Sequence, residues 1–169
     1  MSKVIANAMS TEQSTAYRNG ALDANGQPPE HAVSPGSGYP CRHCLQYIPK
    51  GKPYLILAHR PFDNLQPYAE LGPIFLCAEE CARWEGEEMP PVLAQSPEHR
   101  LLKGYSPDDR IIYGLGRIVH RDDIADQAAD MLSDDRVAYV HARSPSTRSL
   151  RITRSRIIVM YPSSRLVRD

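Results

Sequence analysis

The sequence lacks a net charge, a long apolar run and a leader-like start. Its 169 residues contain 20 lysines and arginines against 20 aspartates and glutamates, so the formal charge at pH 7 is zero. Without an excess of either sign, we expect no overall attraction to nucleic acid or to anionic membranes. The longest apolar stretches, such as 54–58 and 157–161, are far shorter than the roughly 20 residues that span a bilayer. The first residues have no basic start followed by an apolar core, which favours a cytoplasmic location.

Cysteine is scarce too, but its four residues are grouped. Cys41 and Cys44 form one close pair and Cys77 and Cys81 another, with enough chain between the pairs for a hairpin. Thiolates at this spacing are a soft, tetrahedral ligand set, so we predict a Zn²⁺ site. Four thiolates leave no open coordination position, which makes the predicted role of the metal structural rather than catalytic.

Two other interpretations of the cysteines stay open. Reduced thiols also pack as small apolar side chains without any ligand. The Cys41–Cys44 spacing is compatible with a redox-active dithiol, although the pair lies in a predicted loop rather than at the start of a helix. His43 lies between these two cysteines and could replace a thiolate or hydrogen-bond to one.

Composition predicts a flexible N-terminal arm at 1–38, a single domain at 39–155 and a basic C-terminal extension at 156–169. Within the arm, Ser10 and Gln13 have the spacing of a capping box for one short helix, which Gly20 would end. From residue 141 to the end, the chain has seven arginines and one aspartate.

Apolar patterning in the predicted domain favours an α+β fold. Strands are predicted at 53–59, 74–76, 101–105, 110–119, 136–142 and 148–154. Residues 122–132 have the apolar stripe of an amphipathic helix, with acidic residues in its first turn. The order β-β-α-β-β in the C-terminal half predicts an antiparallel sheet with one or two packed helices. The last apolar run, 156–161, is expected at a sheet edge or over the surface.

The first half of the domain is predicted to fold around the metal. Cys41 and Cys44 belong to a tight turn, or knuckle, and a hairpin follows it. Residues 77–88 are rich in glutamate, and their alanine, arginine and tryptophan also tolerate a helix. Two prolines follow, so we predict a helix with Cys77 and Cys81 on one face. Knuckle, hairpin and helix together resemble a treble-clef zinc site.

A second candidate site consists of polar residues around the loop after the first buried strand. His59, Arg60, Tyr68 and Glu70 flank this loop, and His141 and Arg143 end another strand. Together they could bind an anionic small molecule, with arginine as the clamp and histidine or glutamate moving a proton. In the alternative interpretation, Arg60 and Glu70 pair only to fix the loop while Tyr68 packs.

These features leave three classes of function open. The leading prediction is a binding module, held together by structural zinc, for an unidentified protein or small-molecule ligand. The alternative is a small enzyme with the catalytic candidates His59, Arg60, Glu70 and His141. The third is nucleic-acid binding through the arginine-rich C terminus, which the neutral total charge disfavours; no membrane partner is expected.

Four segments carry a resemblance to a known family. They are 38–42 (Gly-Tyr-Pro-Cys-Arg), 55–62 (Leu-Ile-Leu-Ala-His-Arg-Pro-Phe), 67–75 (Pro-Tyr-Ala-Glu-Leu-Gly-Pro-Ile-Phe) and 136–143 (Arg-Val-Ala-Tyr-Val-His-Ala-Arg). All four resemble the bacterial family called domain of unknown function 1203. The resemblance covers roughly residues 38–155 and implies a small bacterial cytosolic protein without an assigned activity. Members of the family often keep the cysteine at 41 but not the one at 44, which implies that metal binding is a property of a subgroup.

Overall fold

The computed structural model describes residues 4–36, 38–95 and 99–144, and the backbone of 158–162. Its strands are β1 Val4–Asn7, β2 Glu30–Val33, β3 Pro53–His59, β4 Gly72–Cys77, β5 His99–Tyr105, β6 Arg117–His120, β7 Tyr139–Arg143 and β8 Ile158–Pro162. Its helices are α1 Thr11–Arg18, α2 Pro91–Ala94 and α3 Ile124–Leu132, and a 3-10 turn at Arg121–Asp123 leads into α3. The strands form two antiparallel sheets, so the predicted α+β class is confirmed. No helix in these ranges has the length and apolar character needed to cross a bilayer.

The larger sheet has five strands in the order β1-β8-β7-β5-β6. Along the chain, its last elements run β5-β6-α3-β7-β8, the predicted β-β-α-β-β order, but with β8 rather than the strand predicted at 148–154 as its last described strand. α3 packs on this sheet through Ile124, Ala128 and Met131, which share one buried core with Leu102 and Val140. This burial stabilises the helix, because nine residues alone are too short to stay helical in water.

The smaller sheet, β2-β3-β4, contains the hairpin predicted in the first half of the domain. Its register places Tyr54 on β3 opposite Cys77 on β4. The rings of Tyr39, Tyr54 and Phe75 pack together with centroids 5.0–5.6 Å apart, within the favourable range for aromatic pairs. Tyr39 precedes the first cysteine pair and Phe75 precedes the second, so this aromatic group brings the two pairs into the same region.

Both sheets include strands from outside the predicted domain. β1 pairs with β8 and β2 pairs with β3, so the segment expected to be a flexible arm carries two strands and α1. β8 lies between β1 and β7, whereas we expected the last apolar run at an edge or over the surface. Domain boundaries at residues 38 and 155 stay a prediction, but segments from both sides of them share one sheet.

The helix predicted at 77–88 is wrong. β4 continues to Cys77, and the chain after it is irregular as far as the turn before α2. The Trp84 N–H donates to the His43 carbonyl at 2.9 Å instead of bonding within its own segment. Helix propensities of ordinary residues differ by only about 0.7 kcal/mol, so such long-range hydrogen bonds and packing outweigh them.

The other predicted strands agree with the structure to different degrees. The prediction at 53–59 is matched by β3, and the one at 136–142 starts late, at Tyr139. The strand predicted at 110–119 shortens to β6, because Gly114 adopts a φ of +88° in a turn that precedes it. The strand predicted at 148–154 lies outside the described residues.

Ser10 is the N-cap of α1, as its spacing from Gln13 predicted, and this permits a first test. The Gln13 N–H donates to Ser10 Oγ at 3.1 Å, and Gly20 has a φ of +88° just after the helix. We expect Ser10→Ala to lower the free energy of unfolding by about 1 kcal/mol, measured by urea denaturation. Ser10→Gly is the control and should cost only a few tenths of that, because glycine is itself tolerated as a cap. Equal losses in the two variants would argue against the capping role.

Candidate functional site

The four cysteine sulfurs converge, as the sequence predicts. The sulfurs of Cys41, Cys44, Cys77 and Cys81 all lie within 4.8 Å of one another, and all four thiols are free. Cys41 Sγ lies 3.9 Å from Cys81 Sγ. A tetrahedral zinc with Zn–S bonds of about 2.3 Å requires sulfurs about 3.8 Å apart. The spacing and softness of these donors therefore fit a tetrathiolate metal site.

Two tight local structures present the sulfurs. In the knuckle, the Cys41 N–H donates to the Gln46 carbonyl at 2.9 Å, and the Leu45 N–H donates back to the Cys41 carbonyl at 3.1 Å. Leu45 has a φ of +51°, which turns the chain sharply after Cys44. Cys77 ends β4, while Cys81 follows on irregular chain. The site thus has the knuckle and hairpin of a treble clef but lacks the predicted helix.

Helix α1 closes one side of the cysteine cluster. Arg18 donates from Nη2 to the Cys81 sulfur at 3.2 Å and from Nε to the Cys77 carbonyl at 3.0 Å. His43 Nδ1 lies 3.2 Å from the Cys81 sulfur, and its Nε2 lies 3.0 Å from Thr11 Oγ1. His43 is thus a hydrogen-bond partner of a cysteine, the second of its two predicted roles. Such contacts orient metal ligands and stabilise their negative charge.

The pKa values of the four thiols are shifted in opposite directions. Hydrogen bonding from Cys44, followed by that from Cys77 and Cys81, holds the pKa of the Cys41 thiol far below its ordinary range. The same bonds to Cys41 raise the pKa of the Cys77 and Cys81 thiols. The sulfur cluster by itself therefore concentrates one negative charge at Cys41. A divalent cation is what would allow all four sulfurs to be thiolates together.

A cleft lies beside the cysteine cluster. It has a volume of about 410 Å³ and is bounded by the β1–α1 connection, the knuckle, the loop after β3 and the chain after Cys81. Its polar lining includes Arg42, His59, Arg60, Arg83, Asp109 and Tyr139. Part of the lining is apolar, from Leu45, Phe62 and Ile74. A cleft of this size and mixed lining suits a small molecule.

Two of the predicted site residues, His59 and Arg60, lie in this cleft. His59 ends β3, and Arg60 begins the loop that follows. Burial, and then the charge of Arg42, lower the pKa of His59 to about 4, so its ring is neutral at pH 7. Arg60 Nε is buried and has no hydrogen-bond partner among the described residues.

Glu70, Tyr68 and Arg143 lie apart from the cleft lining. Glu70 pairs with Lys103 at 3.6 Å and with Arg143, so the alternative in which Glu70 pairs with Arg60 is not what the structure has. The Tyr68 hydroxyl accepts a hydrogen bond from that of Tyr113 at 3.3 Å. The predicted polar group is therefore divided between two places.

His141 is buried in an aromatic cluster. It is 0% exposed, and the ring centroids of Phe62, Tyr105 and Tyr139 lie 4.5–5.3 Å from its own. Neither ring nitrogen has a hydrogen-bond partner among the described residues. Burial, and then the charges of Arg143 and Lys103, lower the pKa of His141 to about 3. Its ring is therefore a neutral part of the core at pH 7.

Sequence reasoning missed three arginines of this region. Arg42 and Arg83 line the cleft, and Arg18 contacts the cysteine cluster. A signal for two of them was present: Arg42 directly follows Cys41, and Arg83 comes two residues after Cys81. Once the cysteines are predicted to converge, side chains beside them are expected to converge as well. Arg18 carried no such signal, because its position depends on how α1 docks.

Comparison with known protein families places most of the chain in a family. A family model described as "Protein of unknown function (DUF1203)" matches residues 38–153, which is more than half of the chain. No curated protein and no solved structure matches.

Proposed function

We propose a function for this chain, which belongs to the DUF1203 family of unknown function. The protein binds a small ligand, and its cysteine quartet holds a structural Zn²⁺. The observation that carries the proposal is the convergence of four free sulfurs within 4.8 Å of one another, together with a cleft of about 410 Å³ whose lining includes Arg42 and Arg83, each within two residues of a cysteine of the quartet. Free thiols persist in a reducing compartment, so we also propose that the protein is located in the cytoplasm.

Zinc is the proposed ion because of the donor set. Four thiolates are soft ligands that favour zinc over magnesium, calcium or manganese, and zinc accepts tetrahedral geometry without a cost from its d electrons. With all four positions taken by sulfur, the ion has no site for water or substrate. Its role is to join the knuckle to the chain after β4, much as a disulfide framework joins distant segments of a small domain.

Ligand binding is favoured over catalysis because the acid–base candidates are not in one place. His59 and Arg60 line the cleft, but Glu70 is occupied by two cations and His141 is enclosed by aromatic rings. General acid–base catalysis requires the proton-transfer groups to reach the same substrate. The cleft accordingly supports ligand binding better than it supports catalysis by His59, Arg60, Glu70 and His141 acting together. Nucleic-acid binding through the C-terminal arginines stays a prediction, because most of that segment is outside the described residues.

Elemental analysis of the purified protein tests the metal. We expect about one Zn²⁺ per chain, and a Co²⁺-exchanged sample should show the visible absorption of a tetrahedral thiolate site. Cys44→Ser should hold the metal more weakly, while Arg136→Gln, at an exposed ion pair with Asp134, should keep it. Folded wild-type protein that takes up no zinc and has the same melting temperature with and without a chelator would contradict the proposal.

A further inference from the structure

The geometry points to the ligand class: we propose that the cleft binds the carboxylate or phosphate group of a small organic anion between Arg42, Arg60 and Arg83. This inference rests on the proposed ligand-binding function and gives it a chemical identity. Guanidinium groups match carboxylate and phosphate oxygens with paired N–H donors, which makes arginine the usual residue for such recognition.

The three arginines come from three separate segments of the chain. Arg42 lies in the knuckle, between Cys41 and His43; Arg60 follows β3; and Arg83 lies on the irregular chain after Cys81. The fold thus places three positive charges around one concave space, although the net charge of the whole chain is zero. Like charges repel, so this arrangement favours an anionic occupant that lies between them.

Arg83 is held in place by neutral groups. Its Nε donates to the Met9 carbonyl at 3.2 Å, and its Nη2 donates to the Ala8 carbonyl at 3.0 Å and to Asn7 Oδ1 at 3.2 Å. These acceptors fix the guanidinium without cancelling its charge. Among the described residues, no carboxylate lies within 4.0 Å of the charged nitrogens of Arg60 or Arg83.

Arg60 is the most direct indicator of a ligand. A buried polar atom that lacks a partner is destabilising, and the Arg60 Nε is in this state within the described part of the chain. An oxyanion in the cleft, which Arg60 lines, would bring a negative charge to this guanidinium and offset that cost. His59, neutral beside it, can donate one further N–H to the same group.

The rest of the lining limits the ligand. The Asp109 carboxylate accepts a hydrogen bond from the Tyr139 hydroxyl at 2.6 Å, and Asp63 is exposed at the rim. These carboxylates favour a ligand with one small anionic head group over a molecule with several charged groups. The apolar side chains of Phe62, Leu45 and Ile74 would contact an apolar body. A short carboxylic acid or phosphate monoester with a hydrophobic group fits this pattern.

The location of Arg42 and Arg83 also couples the cleft to the metal. Each arginine lies within two residues of a cysteine of the quartet, so removing the metal loosens both segments that carry them. Anion affinity is therefore expected to fall when zinc is removed from otherwise folded protein. Arg60 is independent of the quartet, so its contribution should persist.

Calorimetric titration of the zinc-loaded full chain with defined probes tests the inference. Benzoate and phenyl phosphate should bind, whereas benzamide, which has the same ring without the charge, should bind at least about 10-fold more weakly. Arg60→Gln should weaken anion binding by about 10- to 100-fold, and Arg60→Lys by less, since lysine keeps the charge but not the fork. Arg136→Gln, outside the cleft, is the matched control and should bind as the wild type does.

The outcomes separate this inference from the proposed function. Equal binding of benzoate and benzamide would overturn the anionic class while leaving a ligand site. No binding of any probe at about 10 mM, or unchanged anion affinity in folded Arg60→Gln and Arg60→Lys, would also overturn it. Zinc content, measured on the same samples, decides the metal independently. Inorganic phosphate as a further probe shows whether the head group alone is sufficient.

Discussion

Cys41→Ser is expected to lower the free energy of unfolding by at least about 3 kcal/mol, the largest effect of any single substitution considered for this chain. Cys41 is the deepest of the four cysteines, 0% exposed, and its sulfur also accepts the Cys77 N–H at 3.4 Å. Serine has nearly the same shape, so little packing is lost. What would be lost is one ligand of the proposed zinc, and structural zinc sites contribute about 10–16 kcal/mol of binding free energy in small zinc-dependent domains. Guanidinium denaturation of zinc-loaded protein measures the change.

Ser34→Ala provides the matched control for Cys41→Ser. Ser34 is also buried, and its hydroxyl donates to the Ile48 carbonyl at 2.8 Å in the same part of the molecule. Removing this hydrogen bond should cost about 1 kcal/mol, whether or not zinc is present. The effect of Cys41→Ser should instead shrink when both proteins are compared after chelation. If Cys41→Ser and Ser34→Ala lose similar stability in the presence of zinc, the cysteines pack as ordinary side chains. The proposed structural zinc site is then wrong.

Local signals were sufficient for the elements whose stability is local. The Ser10–Gln13 spacing predicted the cap of α1, and the apolar stripe at 122–132 predicted α3. The continuous apolar run at 53–59 predicted β3, because a strand that is buried on both faces needs apolar side chains on both. In each case the residues that form the element also carry its pattern.

The errors share one physical cause, which is dependence on distant partners. β1 has four residues and no distinctive pattern, and it becomes a strand because β8, more than 150 residues later, provides its hydrogen bonds. The chain at 77–88 has helical composition, yet Arg83 donates to the β1–α1 connection and Cys81 joins the sulfur cluster. A helix of this length is marginal by itself, so a few such contacts decide its conformation.

The candidate site was half predictable for the same reason. The quartet follows from spacing, because close cysteine pairs are constrained to act together. The cleft does not, because it forms where the β3 loop, the knuckle and the β1–α1 connection meet. His59 and Arg60 were identified as a polar loop pair, but the cleft that they line also contains Arg42 and Arg83 rather than Glu70 and His141. Polar residues at strand ends indicate a site only when the topology brings those ends together.

The cysteine quartet and the cleft are best understood as one structure. Neither sheet alone encloses the cleft: the knuckle and the β3 loop come with the smaller sheet, while Asp109 and Tyr139 come with the larger. Leu45, immediately after the second cysteine, is buried with Leu102 and Val140 of the larger sheet. A metal that fixes the knuckle therefore also fixes how this part of the smaller-sheet region meets the larger sheet, and so the shape of the binding space.

His141→Phe is expected to make the protein markedly more resistant to acid. In the folded chain the pKa of His141 is about 3 against an ordinary value of 6.5, so the unfolded chain takes up the proton first as the pH falls. The contribution of the neutral ring to stability is complete above about pH 6.5 and is lost progressively toward pH 3. Each pH unit below 6.5 lowers the free energy of unfolding by about 1.4 kcal/mol. The wild type should therefore lose about 2 kcal/mol of stability between pH 7 and pH 5 through this residue. Phenylalanine has no such proton to bind.

A change in packing caused by the larger phenyl ring should shift stability equally at every pH, which separates it from the electrostatic effect. Both buried nitrogens that lack partners in the described chain are removed, and Phe62, Tyr105 and Tyr139 keep an aromatic neighbour. Some acid sensitivity should remain from His59, whose pKa of about 4 acts in the same direction. Urea denaturation of both proteins from pH 7 to pH 4.5 measures the difference, with His31→Gln, on the exposed face of β2, as the control. Parallel stability curves for wild type and His141→Phe would mean that water or another group reaches the ring and that the buried neutral state is wrong.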